Sequence, residues 1–378
     1  MVFLQACDTY DRETILSCVE AIFQAHGGIG QFAGPGKCVV IKPNLVAKKR
    51  PEEAATTHPA LVWACAKLLV EAGSRGVIAE SPGGLYDKPV LKSLYRVCGI
   101  EEAAKDSGAG LNFDTSVTHV QHPEGMYLKQ LDVLTPLAEA DCVINIAKLK
   151  THGMMAYTGA VKNMFGSIAG ITKAEYHCKM PSYDAFADTI LDIYGAVKPA
   201  LNIIDGIDSM HKDGPTAGEV IKTGILISSA DGYEADRVAV ACIQADPKRI
   251  PMMRAMVRRG KISEDFTAIQ VTGTPIETVV CKKFVMKYND DCANLHFSDG
   301  FLGKMLLLAL KPRPVITKKC RSCGECARCC PVKAIEIEKG KRAKVDLEKC
   351  IRCYCCQELC PFKAVKIKKT LLGKVVTK

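Results

Sequence analysis

Eight cysteines near the C-terminal end fall into two runs of identical spacing. Cys320, Cys323, Cys326 and Cys330 recur thirty residues later as Cys350, Cys353, Cys356 and Cys360. Their surroundings recur too: Pro331 as Pro361, Lys333 as Lys363, Ala334 as Ala364, and Ile335 and Ile337 as Val365 and Ile367. A repeat of this length marks a duplicated supersecondary unit, here a cysteine loop, a short helical turn and a strand. Structural zinc prefers two separated cysteine pairs in a tetrahedron, which two three-cysteine runs ending in Cys-Pro fit poorly. The spacing C-x2-C-x2-C-x3-C-P suits iron–sulfur cubes. Three thiolates wrap one face of a cube, and the fourth, carried off by the following turn, reaches the other cube. Cys320, Cys323, Cys326 and Cys360 are thereby assigned to one [4Fe–4S] cluster, and Cys350, Cys353, Cys356 and Cys330 to a second. Cys329 and Cys355 have Leu359 and Glu325 as their repeat images and are read as non-ligands. Such clusters move one electron at a time, so electron transfer is the expected work of this segment.

A second set of chemistry-bearing residues lies earlier in the chain. Lys42-Pro43-Asn44, Glu80-Ser81-Pro82-Gly83-Gly84, Lys148-Leu149-Lys150-Thr151-His152 with Lys162-Asn163, and Asp205 through Asp213 each follow a strand-like run. In open α/β sheets ligands bind beyond the carboxyl ends of strands. Lys42, Lys148, Lys150 and Lys162 together suit an anionic group, a carboxylate or a phosphate. Lys150, Lys162 and His152 are the candidate catalytic residues, with His152 as general acid. Lys42, Asn44, Lys148, Asn163, Asp205 and Asp213 are the candidate substrate-binding residues, the aspartates orienting a lysine or binding a hydroxyl. Taken singly, lysines at strand ends are usually solvated and glycines usually mark turns; the shared position is what joins them. Neither G-x-G-x-x-G after a strand nor G-x-x-x-x-G-K-[ST] is present, which excludes the dinucleotide fingerprint and the Walker loop.

The elements that must position these residues alternate. Strand-like runs at Cys38–Ile41, Val77–Ala79, Cys142–Ile146, Leu201–Ile204, Gly224–Ile227 and Ile269–Thr272 alternate with helical patterns. The helical stretches are Pro59–Ala72, Pro89–Ala104, Phe186–Val197 and Tyr233–Ile243. This order predicts an α/β domain, residues 1–310, with a mostly parallel sheet and helices on both faces. Pro312 to Lys319 reads as the connection into a small C-terminal α+β ferredoxin-like domain, residues 311–378, and Leu306 to Leu310 as a helix end packed on the first domain.

The chain of 378 residues has globular composition, 48% hydrophobic and 24% charged. No apolar run approaches the length of a membrane span, and the start MVFLQACDTYDRET lacks a basic leader. A cytoplasmic protein with reduced thiols is expected, so the ten cysteines outside the last fifth are read as small buried hydrophobes. From Lys311 onward there are 19 Lys and Arg against 6 Asp and Glu, while the rest of the chain is slightly acidic. Two clusters with their thiolates remove about four charges and leave that segment basic. Aromatic residues are sparse there, which argues against nucleic acid. The basic turn Lys339, Lys341, Arg342 and Lys344 around Gly340 suits an acidic electron carrier such as ferredoxin or flavodoxin.

The cysteine-rich segment resembles bacterial two-cluster ferredoxins over about sixty residues. The runs KPN, KLKTHGMMAYTGAVKNMFG, NIIDGIDSMHKDGPTAG and SSADGYEADRVAV resemble the uncharacterised-domain family DUF362, over residues 37 to 245. That resemblance implies an iron–sulfur protein of bacteria or archaea, often anaerobic, and implies no defined reaction. The residues themselves favour an oxidoreductase that passes electrons to an anionic small molecule, or to a flavin or other organic cofactor, at the rim of the α/β domain. The alternative is an electron-carrier or assembly protein whose α/β domain binds a partner protein.

Overall fold

The computed structural model describes residues 1–170, 172–180, 182–265, 269–288, 310 and 312–370. The expectations for residues 306–309 and for Cys292 lie outside these. Within the first domain the strands are β1 (Val2–Ala6), β2 (Cys38–Lys42), β3 (Arg75–Ile78), β4 (Gly110–Leu111), β5 (Val117–Gln121), β6 (Gln130–Leu134), β7 (Cys142–His152), β8 (Ala156–Thr158), β9 (Leu201–His211), β10 (Glu219–Ser229) and β11 (Val271–Gly273). The main sheet runs β11-β1-β10-β9-β7-β2-β3-β4, with β8 added to β7. β2, β3, β4, β7 and β9 are mutually parallel, and β10 runs antiparallel to both β9 and β1. β5 and β6 form a separate antiparallel hairpin.

Alternating strand residues feed two cores, as a sheet covered on both faces requires. Val39, Ile41, Ile144, Ile146 and Ile203 pack under the helices Arg12–Ala25 and Pro59–Glu71. Val40, Ala147, Leu149 and Ile204 pack on the other face, under the helices Tyr183–Val197 and Gly232–Cys242. Local chemistry sets the helix ends. Pro59 opens its helix at a position that needs no amide donor, and Ser182 caps the helix from Tyr183 by accepting from the Ala185 N–H. The single helix expected over Pro89–Ala104 is two, Lys88–Val97 and Ile100–Ser107. They are parted by Gly99, whose φ of 72° only glycine adopts freely.

Two strands run longer than the sequence suggests. β7 continues to His152, so Lys148, Lys150 and His152 lie on the strand and not in a loop after it. β9 likewise continues through Asp205 to His211. Lys42-Pro43-Asn44, Glu80 and Asp213 stand where strands give out. β8 folds back on the end of β7, pairing Lys150 with Thr158, and supplies the ladder bonds that extend it.

The C-terminal domain holds β12 (Arg313–Ile316), β13 (Ile335–Glu336), β14 (Lys344–Val345) and β15 (Val365–Lys368) with the helical turns Glu325–Arg328 and Cys355–Glu358. The stretch read as a connection is therefore partly a strand, β12, paired antiparallel with β15. The domain docks on the carboxyl end of the sheet. Gln357 Nε2 donates to Asp213 O at 2.9 Å, Thr216 Oγ1 donates to Glu358 O at 2.6 Å, and the Lys366 ammonium pairs with Asp213 at 3.1 Å. Gly153 faces this contact. A Cβ there would stand 2.6 Å from Ile367 Cδ1, so the missing side chain lets the two domains meet.

Candidate functional site

The cysteines gather across the repeat. Cys320, Cys323 and Cys326 line one cavity together with Cys360, which arrives from the second run, between Ile316, Ala343 and Val365. Cys330, from the first run, has Cys350 and Cys353 as neighbours, and Cys356 shares both. A thiol-lined space open to four sulfurs from two segments fits a cube. Burial raises the Cys326 thiol to about 11 and holds Cys330 and Cys356 above the usual range as well. Thiols so placed ionise only against a metal centre.

A cavity of about 720 Å³ opens between the two domains. One wall belongs to the first domain and carries Lys150, His152, Lys162, Asn44 and Asn163. The opposite wall is the two Cys-Pro turns, Cys330–Pro331 and Cys360–Pro361, with Cys329, Cys355, Glu358 and Leu359. Cys329 and Cys355, read as non-ligands, thus face the cavity.

Most polar residues on the first wall are held by named partners. The Lys150 ammonium donates to Asn44 Oδ1 at 2.7 Å and to the Ala55 carbonyl. It is fully buried, and burial pushes its pKa down to about 7. Asn44 donates in turn to Asn163 Oδ1 at 2.7 Å, and Asn163 donates to Asn145 Oδ1. His152 Nδ1 accepts from the Met154 and Met155 amides at 3.1 and 3.2 Å, which places the ring proton on Nε2, 3.6 Å from Glu358. Burial, followed by the Lys162 charge, lowers the His152 pKa to about 4, so the ring is neutral. Burial alone would raise Glu358; His152 and Lys162 outweigh it and keep the carboxylate ionised. Lys162 lies over the Phe165 ring at 5.8 Å and has no hydrogen bond or ion pair among the described residues.

A model of the family described as "Domain of unknown function (DUF362)" matches residues 39–241, more than half of the chain. The chain belongs to the DUF362 family. A 4Fe-4S dicluster domain matches residues 319–364, so the C-terminal segment is an iron–sulfur domain. A thylakoid-associated protein of Synechocystis is 30% identical over 266 residues, covering 68% of this chain and 79% of that protein. Among solved structures, the lactate racemase apoprotein of Thermoanaerobacterium thermosaccharolyticum aligns with a TM-score of 0.39 at 15% identity, over 62% of this chain and 56% of its own. A Thermotoga maritima protein aligns at 0.38 and 13% identity, over 68% and 60%. This chain spans less than two thirds of either structure. No helix among the described residues is long and apolar enough to cross a membrane.

Within this DUF362 chain the structure divides the candidate residues. Lys150, His152, Lys162, Asn44 and Asn163 share the cavity wall. Lys42 stands just behind it, spent on Glu80 at 2.8 Å with both side chains buried. Lys148 and Asp205 do not reach the cavity. They pair with each other at 2.8 Å, with Tyr10 hydroxyl bonded to both and the His58 amide donating to Asp205. Asp213 is spent on Lys287 and Lys366. The four lysines are thus not one anion cluster, because two of them have buried carboxylates of their own. The general-acid role assigned to His152 also fits poorly, since a neutral ring with Nδ1 bonded to amides is a weak proton source.

Sequence reasoning missed Lys173 and His177, four apart on the helix Thr172–Lys179 and both lining the cavity. The Lys173 ammonium donates to Ser81 O, Ser81 Oγ and Pro82 O, and burial lowers its pKa to about 7. Their i, i+4 spacing was the available signal. Glu358 was missed too. Its repeat image is Arg328, and that change of sign at matched positions marks it in the sequence.

Proposed function

We propose that this protein is an iron–sulfur oxidoreductase whose anionic substrate or organic cofactor sits between its two domains. The observation that carries this is the shared cavity, in which the Cys330–Pro331 and Cys360–Pro361 turns face Lys150, Lys162 and Lys173. Two [4Fe–4S] clusters, held by Cys320, Cys323, Cys326 and Cys360 and by Cys350, Cys353, Cys356 and Cys330, supply single electrons when bound. The chain's own residues do the rest. Lys162 and Lys173 hold the anionic group, and Asn44 with Asn163 fixes Lys150. Lys150 and Lys173, with pKa values near neutrality, suit proton donation. His152 positions Glu358. Joining the carrier to the binding domain makes the encounter intramolecular. An acidic carrier such as ferredoxin or flavodoxin, docking at Lys339, Lys341, Arg342 and Lys344 in the cytoplasm, is the proposed electron donor.

The test uses single-turnover reoxidation of chemically reduced protein, without oxygen. With 4-nitrobenzoate as acceptor the rate should saturate with concentration. Lys162→Ala should raise the half-saturating concentration, yet leave the rate with neutral nitrobenzene unchanged. Equal, unsaturable rates with both acceptors, in both proteins, would refute the reading. They would favour an electron carrier that reacts only at its surface.

A further inference from the structure

We infer that the cavity binds an organic ligand with an apolar body and an end group of two negative charges, either a phosphate ester or a pair of carboxylates. This specifies the ligand of the reading above and rests on it. The charge follows from the buried and half-buried ionic groups that face the cavity or stand directly behind its wall. Lys49 is paired with Glu53 and Arg328 with Glu325, which leaves four ammonium groups, Lys42, Lys150, Lys162 and Lys173, against two carboxylates, Glu80 and Glu358. Lys42 is neutralised by Glu80. Lys150 and Lys173 are held only by uncharged oxygens, from Asn44 and Ala55 in one case and Ser81 and Pro82 in the other. Glu358 is the carboxylate within reach of Lys150 and Lys162, and it can answer one charge. With all four lysines protonated, as a bound anion would hold them, two positive charges remain. A buried charge without a counterion is costly, and proteins keep such groups where a ligand completes them. The clusters bring negative charge to the opposite wall, but their own domain has 19 basic residues against 6 acidic ones to balance it.

Two further atoms point the same way. His177 Nδ1 and Thr158 Oγ1 both belong to cavity-lining side chains, are buried, and have no hydrogen-bond partner among the described residues. A buried polar atom left unpaired in the protein is commonly paired by something that binds. Between these groups Pro82, Leu85, Phe165, Leu359 and Pro361 offer hydrocarbon to the body of the ligand. A volume of about 720 Å³ accommodates a molecule well beyond a bare inorganic anion.

The experiment is isothermal titration of the full, cluster-loaded chain in its oxidised form. Phenyl phosphate, phthalate, benzoate and benzamide are the probes. One of the two dianions should bind at least about tenfold more tightly than benzoate, and benzamide most weakly. Phenyl phosphate as the winner identifies a phosphate ester, and phthalate identifies paired carboxylates. Lys162→Met, Lys173→Met and Thr158→Val should each weaken the preferred dianion, with iron content unchanged. Thr158→Val keeps the test decisive if a lysine variant fails to fold. Binding that ignores probe charge, no binding at millimolar concentration, or affinity unmoved in all three variants would overturn the inference. No electrons flow in this measurement. A dianion that binds but does not speed reoxidation would leave the inference standing and sink the electron-delivery reading.

Discussion

Lys150→Met tests whether a cation is buried at the cavity at a cost to stability. Lys150 has no exposed surface, and burial takes its pKa from 10.5 to about 7. Between these values the unfolded chain holds the proton and the folded one does not. Stability therefore rises with pH across that window, by up to about 1.4 kcal/mol per pH unit. Below pH 7 the folded chain keeps a buried cation, a penalty of about 5 kcal/mol as an upper bound. Methionine removes the penalty but strands Asn44 Oδ1 and the Ala55 carbonyl, which costs about 1–3 kcal/mol each. The two effects nearly offset at low pH, so the variant should melt within a few degrees of the parent at about pH 6.5. Raising the pH to about 9.5 should open a gap of about 3 kcal/mol in the parent's favour, roughly 4 °C in melting temperature. Thermal melts followed by circular dichroism, anaerobically and at four pH values, measure the difference directly and cancel every other titrating group. Parallel curves for parent and variant would refute the reasoning, because they would mean that Lys150 keeps an ordinary pKa or an unseen counterion.

Anaerobically prepared protein should contain about eight iron and eight sulfide per chain; zinc, or about four iron, would break the ligation scheme. Cys330→Ser should damage the cluster held by Cys350, Cys353 and Cys356, whereas Cys329→Ser and Cys355→Ser should keep both, by iron analysis and electron paramagnetic resonance. Gly166→Ala should destabilise by about 1–3 kcal/mol in chemical unfolding, because a Cβ there would press on Glu80 Oε1 and Lys42 Nζ and push that buried pair aside; an unchanged midpoint would show that the pair shifts freely. Reduction by an acidic carrier should slow with salt. Lys341 and Lys344 already share Glu338, so reversing Lys339 and Arg342 should flatten the salt slope most; indifference to salt would remove the docking site.

The gathering of Cys320, Cys323 and Cys326 with Cys360 was legible in the sequence because ligand spacing is a local property. Three thiols within seven residues share one side of a loop whatever surrounds them, and the turn after each run carries its fourth cysteine across to the other run. The helix start at Pro59 was equally local, whereas the helix expected from Phe186 starts at Tyr183, capped by Ser182. The sheet's class followed from alternation, but the antiparallel course of β10 did not, since apolar periodicity carries no direction. Least legible was the state of the lysines. Lys42, Lys148, Lys150 and Lys162 look alike in sequence, and the structure gives them four different environments. Lys42 and Lys148 are neutralised by Glu80 and Asp205, 38 and 57 residues away, while Lys150 is left with neutral oxygens and Lys162 with an aromatic face. A buried charge is governed by what lies within a few ångströms in a medium of low dielectric, and chain spacing does not encode that distance. Glu358 makes the same point across domains, for it faces His152 only because the iron–sulfur domain docks where Gly153 gives it room.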